Sequence, residues 1–189
     1  MALCLVGSEM CIRDSNLTTK INNRWNVMFI QRDVNELYLT GTMPNFIGDK
    51  PFGWVQKLNP DNLEVMYESP NLECGDHIWC GAIAAHVNCT IINVNGSFMH
   101  ILDDKCNVIK EIKLPINQAH NGLLILSDGS IVTKDIRLSN DFASTLTRLS
   151  PDGKLIGKPL KLPEGSMGRI ACDIDCLLYT SPSPRDITP

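Results

Sequence analysis

Residues 120–163 read HNGLLILSDGSIVTKDIRLSNDFASTLTRLSPDGKLIGKPLKLP, four β-rich runs separated by tight-turn chemistry. The runs are Leu123–Ser127, Ser130–Ile136, Ser144–Ser150 and Leu155–Leu162. Ser127-Asp128-Gly129 separates the first pair and Pro151-Asp152-Gly153 the last. Asp-Gly flanked by β-formers marks a hairpin, because glycine tolerates the positive φ that a tight turn requires. The unit is a four-stranded antiparallel meander.

The chain repeats that unit. Leu58-Asn-Pro-Asp, Leu102-Asp-Asp-Lys and Leu149-Ser-Pro-Asp recur 44 and 47 residues apart. Leu72, Leu114-Pro115 and Leu162-Pro163 recur 42 and 48 apart, and Gly81, Gly122 and Gly168, each before a first strand, 41 and 46 apart. A period of about 40–50 residues with four strands per unit is the signature of a β-propeller. An unrelated sandwich also spaces strands this way but does not bring three landmarks to one period. The expected fold is therefore all-β: an incomplete β-propeller of about three and a half four-stranded antiparallel blades. The blades fall at roughly 23–72, 81–116 and 120–163, with the start of the next at 166–175. Propellers close with about four to eight blades, so missing blades of the same chain are expected partners, and two blade faces are expected to lie uncovered.

Both ends read as foreign. Cys176–Asp186, CLLYTSPSPRD, can be encoded by a DNA string whose reverse complement, read in another frame, encodes Cys4–Asp14, CLVGSEMCIRD. That string resembles a translated sequencing-library adapter. Residues 1–15 and 176–189 are accordingly expected to be tails, with 16–175 the partial propeller. Of the eight cysteines, Cys74, Cys80, Cys89, Cys106 and Cys172 then remain, with no CxxC pair and no zinc spacing. Cys74 and Cys80 could bridge a loop or stay as buried thiols.

A net charge of −4 with no clustered basic patch excludes a nucleic-acid footprint. The absence of any apolar run of about 18 residues excludes a helical membrane span. In a propeller, residues before each inner strand and residues in the loop joining strands two and three crowd around one channel mouth. The first set contains His77, Trp79, His120 and Asn121; the second contains Lys134, Asp135 and Arg137. His120 could be a general base, since imidazole titrates near neutrality, or a satisfied loop histidine. Asp135 could bind a metal, orient His120, or pair with Lys134 or Arg137. His77, Trp79, Lys134 and Arg137 are candidates for substrate contact. Asp128 and Asp152 are read as turn formers.

His120-Asn121-Gly122 followed by LLILSDGSIVTKD resembles the gluconolactonase and regucalcin family of six-bladed propellers, which is similar to the paraoxonases. The resemblance implies that Asn121 offers its side-chain oxygen to Ca2+, a hard cation that takes about six to eight oxygen ligands. The ion would polarise an ester or lactone carbonyl while a base, with His120 and Asp135 as the catalytic candidates, activates water. The chain departs from the family where Met167-Gly168 replaces Asp-Gly and where Trp79-Cys80-Gly81 replaces Asn-Asp-Gly. Two functions follow: calcium-dependent ester or lactone hydrolysis at the channel mouth, or a non-catalytic propeller binding a small molecule or protein there.

Overall fold

The computed structural model describes residues 25–33, 36–43, 50–76, 81–137, 143–163, 169–172 and 178–180. Its regular elements are all strands. The first blade contains β1 (Trp25–Asp33), β2 (Glu36–Met43), β3 (Phe52–Leu58) and β4 (Val65–Glu68) in that order, with β5 (Leu72–Glu73) pairing the start of β3. The second blade runs β6 (Gly81–Ala85), β7 (Ile91–Asn95), β8 (Phe98–Leu102) and β9 (Val108–Lys113). The third runs β10 (His120–Ile125), β11 (Ile131–Asp135), β12 (Thr145–Leu149) and β13 (Leu160–Lys161). β14 (Ile170–Cys172) pairs β15 (Leu178–Thr180) and begins a fourth. Every pairing is antiparallel, and β1, β6, β10 and β14 stand side by side as inner strands.

Strand alternation explains how blades stack, because successive side chains point to opposite faces. In the second blade Ile92, Val94, Met99 and Ile101 face the third, packing with Ile131 and Leu149. Ile91 and Leu102 face the first, packing with Tyr38, Val55 and Leu72. Val132 and Leu146 of the third blade pack with Ile170 of the fourth. The second and third blades thus each bury both faces in two separate apolar layers.

At the ends of the second strands these layers turn polar. Asn95 Nδ2 donates to Asn93 Oδ1 at 2.6 Å, Asn93 Nδ2 to Thr40 Oγ1 at 2.6 Å, and Thr42 Oγ1 to Asn95 Oδ1 at 3.1 Å. All four side chains are buried. Buried amides hold their place when their partners are also fixed, so this network sets the register of blade one on blade two.

Two observations stand beside the expected limits of the propeller. Leu178–Thr180 lies in the segment expected to be a tail, yet it pairs residue for residue with Ile170–Cys172. A lone inner strand exposes a row of unpaired N–H and C=O groups, and a segment reading Leu-Tyr-Thr has the β-propensity to satisfy them. The first blade's far face was expected to lie uncovered, but Leu39, Trp54 and Leu58 on it are buried, with Leu37 and Leu63 packed against them.

Candidate functional site

His120 opens β10 and is the cross-strand partner of Asp135, the last residue of β11. The start of an inner strand and the end of its neighbour therefore share one end of the blade, the channel mouth. Ile136 N–H donates to Ala119 O at 2.7 Å, which carries the same pairing one step further.

His120 is 0% exposed. Its backbone N–H donates to Gly96 O at 3.0 Å. Its Nδ1 lies 3.1 Å from the same carbonyl and 2.9 Å from Gln118 O. Carbonyl oxygens only accept, so the proton belongs on Nδ1 and Nε2 is the basic nitrogen. Gly96 sits in the β7–β8 hairpin of the preceding blade, so His120 fastens blade three to blade two.

Asp135 is also 0% exposed. Its Oδ1 accepts from the backbone N–H of Thr145. Its Oδ2 lies 2.7 Å from Arg137 Nε, a contact held by charge rather than by a well-aligned hydrogen bond. Lys134 points to the opposite face, as alternation requires, and is 0% exposed, with Nζ donating to Asp135 O at 3.2 Å. Burial pushes its ammonium down to about 8, against a smaller upward pull from the Asp135 charge. The corresponding positions before the last residue of β2 and β7 hold uncharged residues, Thr42 and Val94.

Asn121 is buried. Its backbone carbonyl accepts from Arg169 Nη1 at 3.2 Å, and the same nitrogen lies 3.5 Å from Gly81 O. Arg169, exposed just before β14, thus spans the inner-strand starts of blades two and three. The sequence reading missed it; its place one residue beyond Gly168, the third of the repeating glycines, was the available signal. His77 and Trp79 lie outside the described residues.

The structure therefore brings His120, Asn121, Lys134, Asp135 and Arg137 to one end of the third blade. Asp128 and Asp152 sit at the other turns: Asp128 accepts from Ser130 N–H and Oγ, and Asp152 from Ser150 Oγ. These bonds hold the Asp128 carboxyl below the usual range and the Asp152 carboxyl down to about 2.

These residues do not by themselves form a calcium cradle. Calcium requires several converging oxygens, whereas the Asp135 carboxylate is turned to a guanidinium and a backbone N–H. Among the described residues no three His, Cys, Asp or Glu side chains converge.

Cys74 and Cys106 are buried free thiols whose pKa burial pushes up to about 12, while Cys89 is exposed. Thiolate is the reactive form. Iodoacetamide at pH 8, followed by peptide mass mapping, is expected to alkylate Cys89 in the folded chain and leave Cys74 and Cys106 unmodified. Equal labelling of all three would contradict this packing.

No family model matches the chain, and no curated protein matches it. Two solved structures do. The crystal structure of selenomethionine-substituted virginiamycin B lyase from Staphylococcus aureus, a propeller, aligns with a TM-score of 0.61 at 18% identity. The alignment covers 88% of this chain and 51% of the lyase chain. A protein of unknown function from Bacteroides caccae aligns with a TM-score of 0.50 at 17% identity, over 67% of this chain and 46% of that one. The chain thus spans about half the length of each. Likeness at such identity establishes architecture: the chain is all-β and has the fold of an incomplete β-propeller.

Proposed function

We propose that this chain is part of a propeller that binds a small molecule at its channel mouth without transforming it. One observation carries the reading. His120 and Asp135 are fully buried and committed to holding the structure together, His120 to Gly96 O and Gln118 O, Asp135 to Arg137 and Thr145 N–H. A general base must reach the proton it removes, and a fully buried imidazole tied to the next blade is placed to brace the mouth instead.

Bracing has a measurable consequence. His120→Ala is expected to lower unfolding free energy by about 2–4 kcal/mol, through a cavity and the lost bonds to two buried carbonyls. Urea unfolding of parent and variant measures it. A change under about 0.5 kcal/mol, normal for a surface loop residue, would remove the argument.

The second reading is ester or lactone cleavage, suggested by the gluconolactonase resemblance and favoured by the His120 tautomer, which makes Nε2 basic. The lyase neighbour shares the fold at 18% identity. Incubating the chain with an aryl ester and a lactone separates the two. The binding reading expects hydrolysis no faster than in buffer; turnover lost in a folded His120→Gln variant would replace it with the hydrolytic one.

A further inference from the structure

We propose that Asn88, in the β6–β7 hairpin, is a modification site: its side-chain amide accepts a sugar from a diphosphate-activated donor. The hairpin lies at the end of blade two away from the mouth, beyond the Ala85–Ile91 pair. Three Asn-x-Ser/Thr triplets, the pattern that N-linked transfer requires, stand in the chain. They are Asn16-Leu17-Thr18, Asn88-Cys89-Thr90 and Asn95-Gly96-Ser97. The first lies outside the described residues, and the fold separates the other two. Asn95 and Ser97 are both 0% exposed. The Asn95 amide donates to Asn93 Oδ1 at 2.6 Å and accepts from Thr42 Oγ1 at 3.1 Å. A glycan is bulky and needs solvent, so one on Asn95 would break the network between blades one and two. Asn88 is exposed.

The bonds of this turn leave the Asn88 nitrogen available. Oδ1 accepts from Thr90 N–H at 3.1 Å and from Thr90 Oγ1 at 2.6 Å, whereas Nδ2 has no partner among the described residues. Donors on the carbonyl oxygen bind more strongly as it gains negative charge, which is what happens when the amide nitrogen gives up a proton. The fold itself asks for no amide here. In the third blade Ser130 N–H and Oγ donate to the Asp128 carboxylate at 2.9 and 2.6 Å, the same pair of bonds. Cys89 and Gly129 take the same left-handed step, at φ 69° and 78°. Both turns close alike, His86 and Leu126 N–H donating to the Thr90 and Ser130 carbonyls at 2.8 Å. The turn therefore uses only an acceptor oxygen at position 88, and Nδ2 is surplus to it. In the transfer, Nδ2 bonds to the anomeric carbon of the sugar as the bond from that carbon to the diphosphate oxygen breaks. The diphosphate leaves with the electron pair, and one amide proton passes to a base of the transferase.

The test has two arms, because a nucleotide or a membrane lipid can carry the diphosphate. In one, the folded chain is incubated with UDP-glucose and a soluble asparagine glucosyltransferase. In the other, the chain is secreted behind a leader peptide by cultured cells that supply lipid-linked oligosaccharide. Peptide mass mapping reads occupancy at each asparagine. Sugar on Asn88 in at least one arm is expected, and that arm names the donor. Asn95 should stay bare in both. Asn88→Asp and Thr90→Val, each first shown to be folded by circular dichroism, should abolish the modification. Asn88→Asp should also leave the urea midpoint of the bare chain unchanged, since a carboxylate serves the matching turn of the third blade. A bare Asn88 in both arms would overturn the proposal. Sugar on Asn95 of the folded protein, or sugar retained by Thr90→Val, would overturn it too. A lowered midpoint for Asn88→Asp would show that the turn needs the amide and would count equally against it.

Discussion

Replacing Gly53 by alanine is expected to destabilise the chain by about 3–5 kcal/mol, far more than one methyl group ordinarily costs in a strand. A Cβ at Gly53 would stand 2.6 Å from Asn95 Cγ and 2.9 Å from Asn95 Cβ. Asn95 cannot yield cheaply, because its amide is held between Asn93 and Thr42 in a fully buried network. Overpacking of this kind costs about 1–3 kcal/mol, and each buried polar partner left unsatisfied adds about 1–3 kcal/mol. The sharper measurement is a double-mutant cycle. Asn95→Ala opens the space that the new methyl needs, so Gly53→Ala with Asn95→Ala should be less destabilised than the sum of the singles, by about 1 kcal/mol or more. Additive effects in urea unfolding would mean that the two blades are not keyed together through this amide.

Replacing Lys134 by methionine should do the opposite and stabilise the chain at neutral pH. The folded pKa is pushed down to about 8 from an ordinary 10.5, chiefly by burial. In the folded chain the ammonium is therefore disfavoured relative to the unfolded chain, a penalty of about 3 kcal/mol for a shift of that size. A lost bond to Asp135 O gives back about 1 kcal/mol, leaving a gain of about 2 kcal/mol for the variant. The sign follows from linkage. Between about pH 8 and 10.5 the unfolded chain binds more protons than the folded one, so the parent gains stability as pH rises through that window. Below pH 8 the penalty is complete, and by about pH 10.5 it is gone. The advantage of the methionine variant should thus be full at pH 7 and nearly absent at pH 10.5, other titrating groups cancelling between the two proteins. A variant less stable at pH 7, or an advantage unchanged at high pH, would show that the ammonium is well solvated.

Much of the fold was legible because turns announce themselves chemically. Asp128-Gly129 and Pro151-Asp152-Gly153 place glycine where φ is positive, at 78° and 81°, and Asn95-Gly96 closes the β7–β8 hairpin. The same left-handed conformation recurs at Cys89, Cys106 and Leu63, where no residue type advertises it. β5 was illegible for another reason: Leu72–Glu73 is two residues long, and its pairing with Phe52 and Gly53 is a tertiary contact. Leu155–Leu162 was read as one strand; the structure has a single bridge at Leu155 and a strand at Leu160–Lys161. Gly157, at φ 71°, and Pro159 lie between the two.

The site divides along a similar line. Convergence of His120 and Asp135 was legible, since propeller geometry dictates which strand ends meet. Their partners were not. Gly96 O and Thr145 N–H belong to backbone, and backbone carries no residue-specific signal across 24 or 10 positions of chain.

The two histidines at the boundary between blades two and three have a mechanical consequence. At the mouth end, His120 of the third blade grips the Gly96 carbonyl of the second. At the opposite end, His86 of the second blade has its Nε2 2.7 Å from the Gly129 carbonyl of the third, while its Nδ1 accepts from Asn88 N–H. A slab riveted at one edge can tilt; riveted at both edges, from opposite sides, it resists torsion. Adjacent blades so joined at both ends of their boundary are held at one wedge angle.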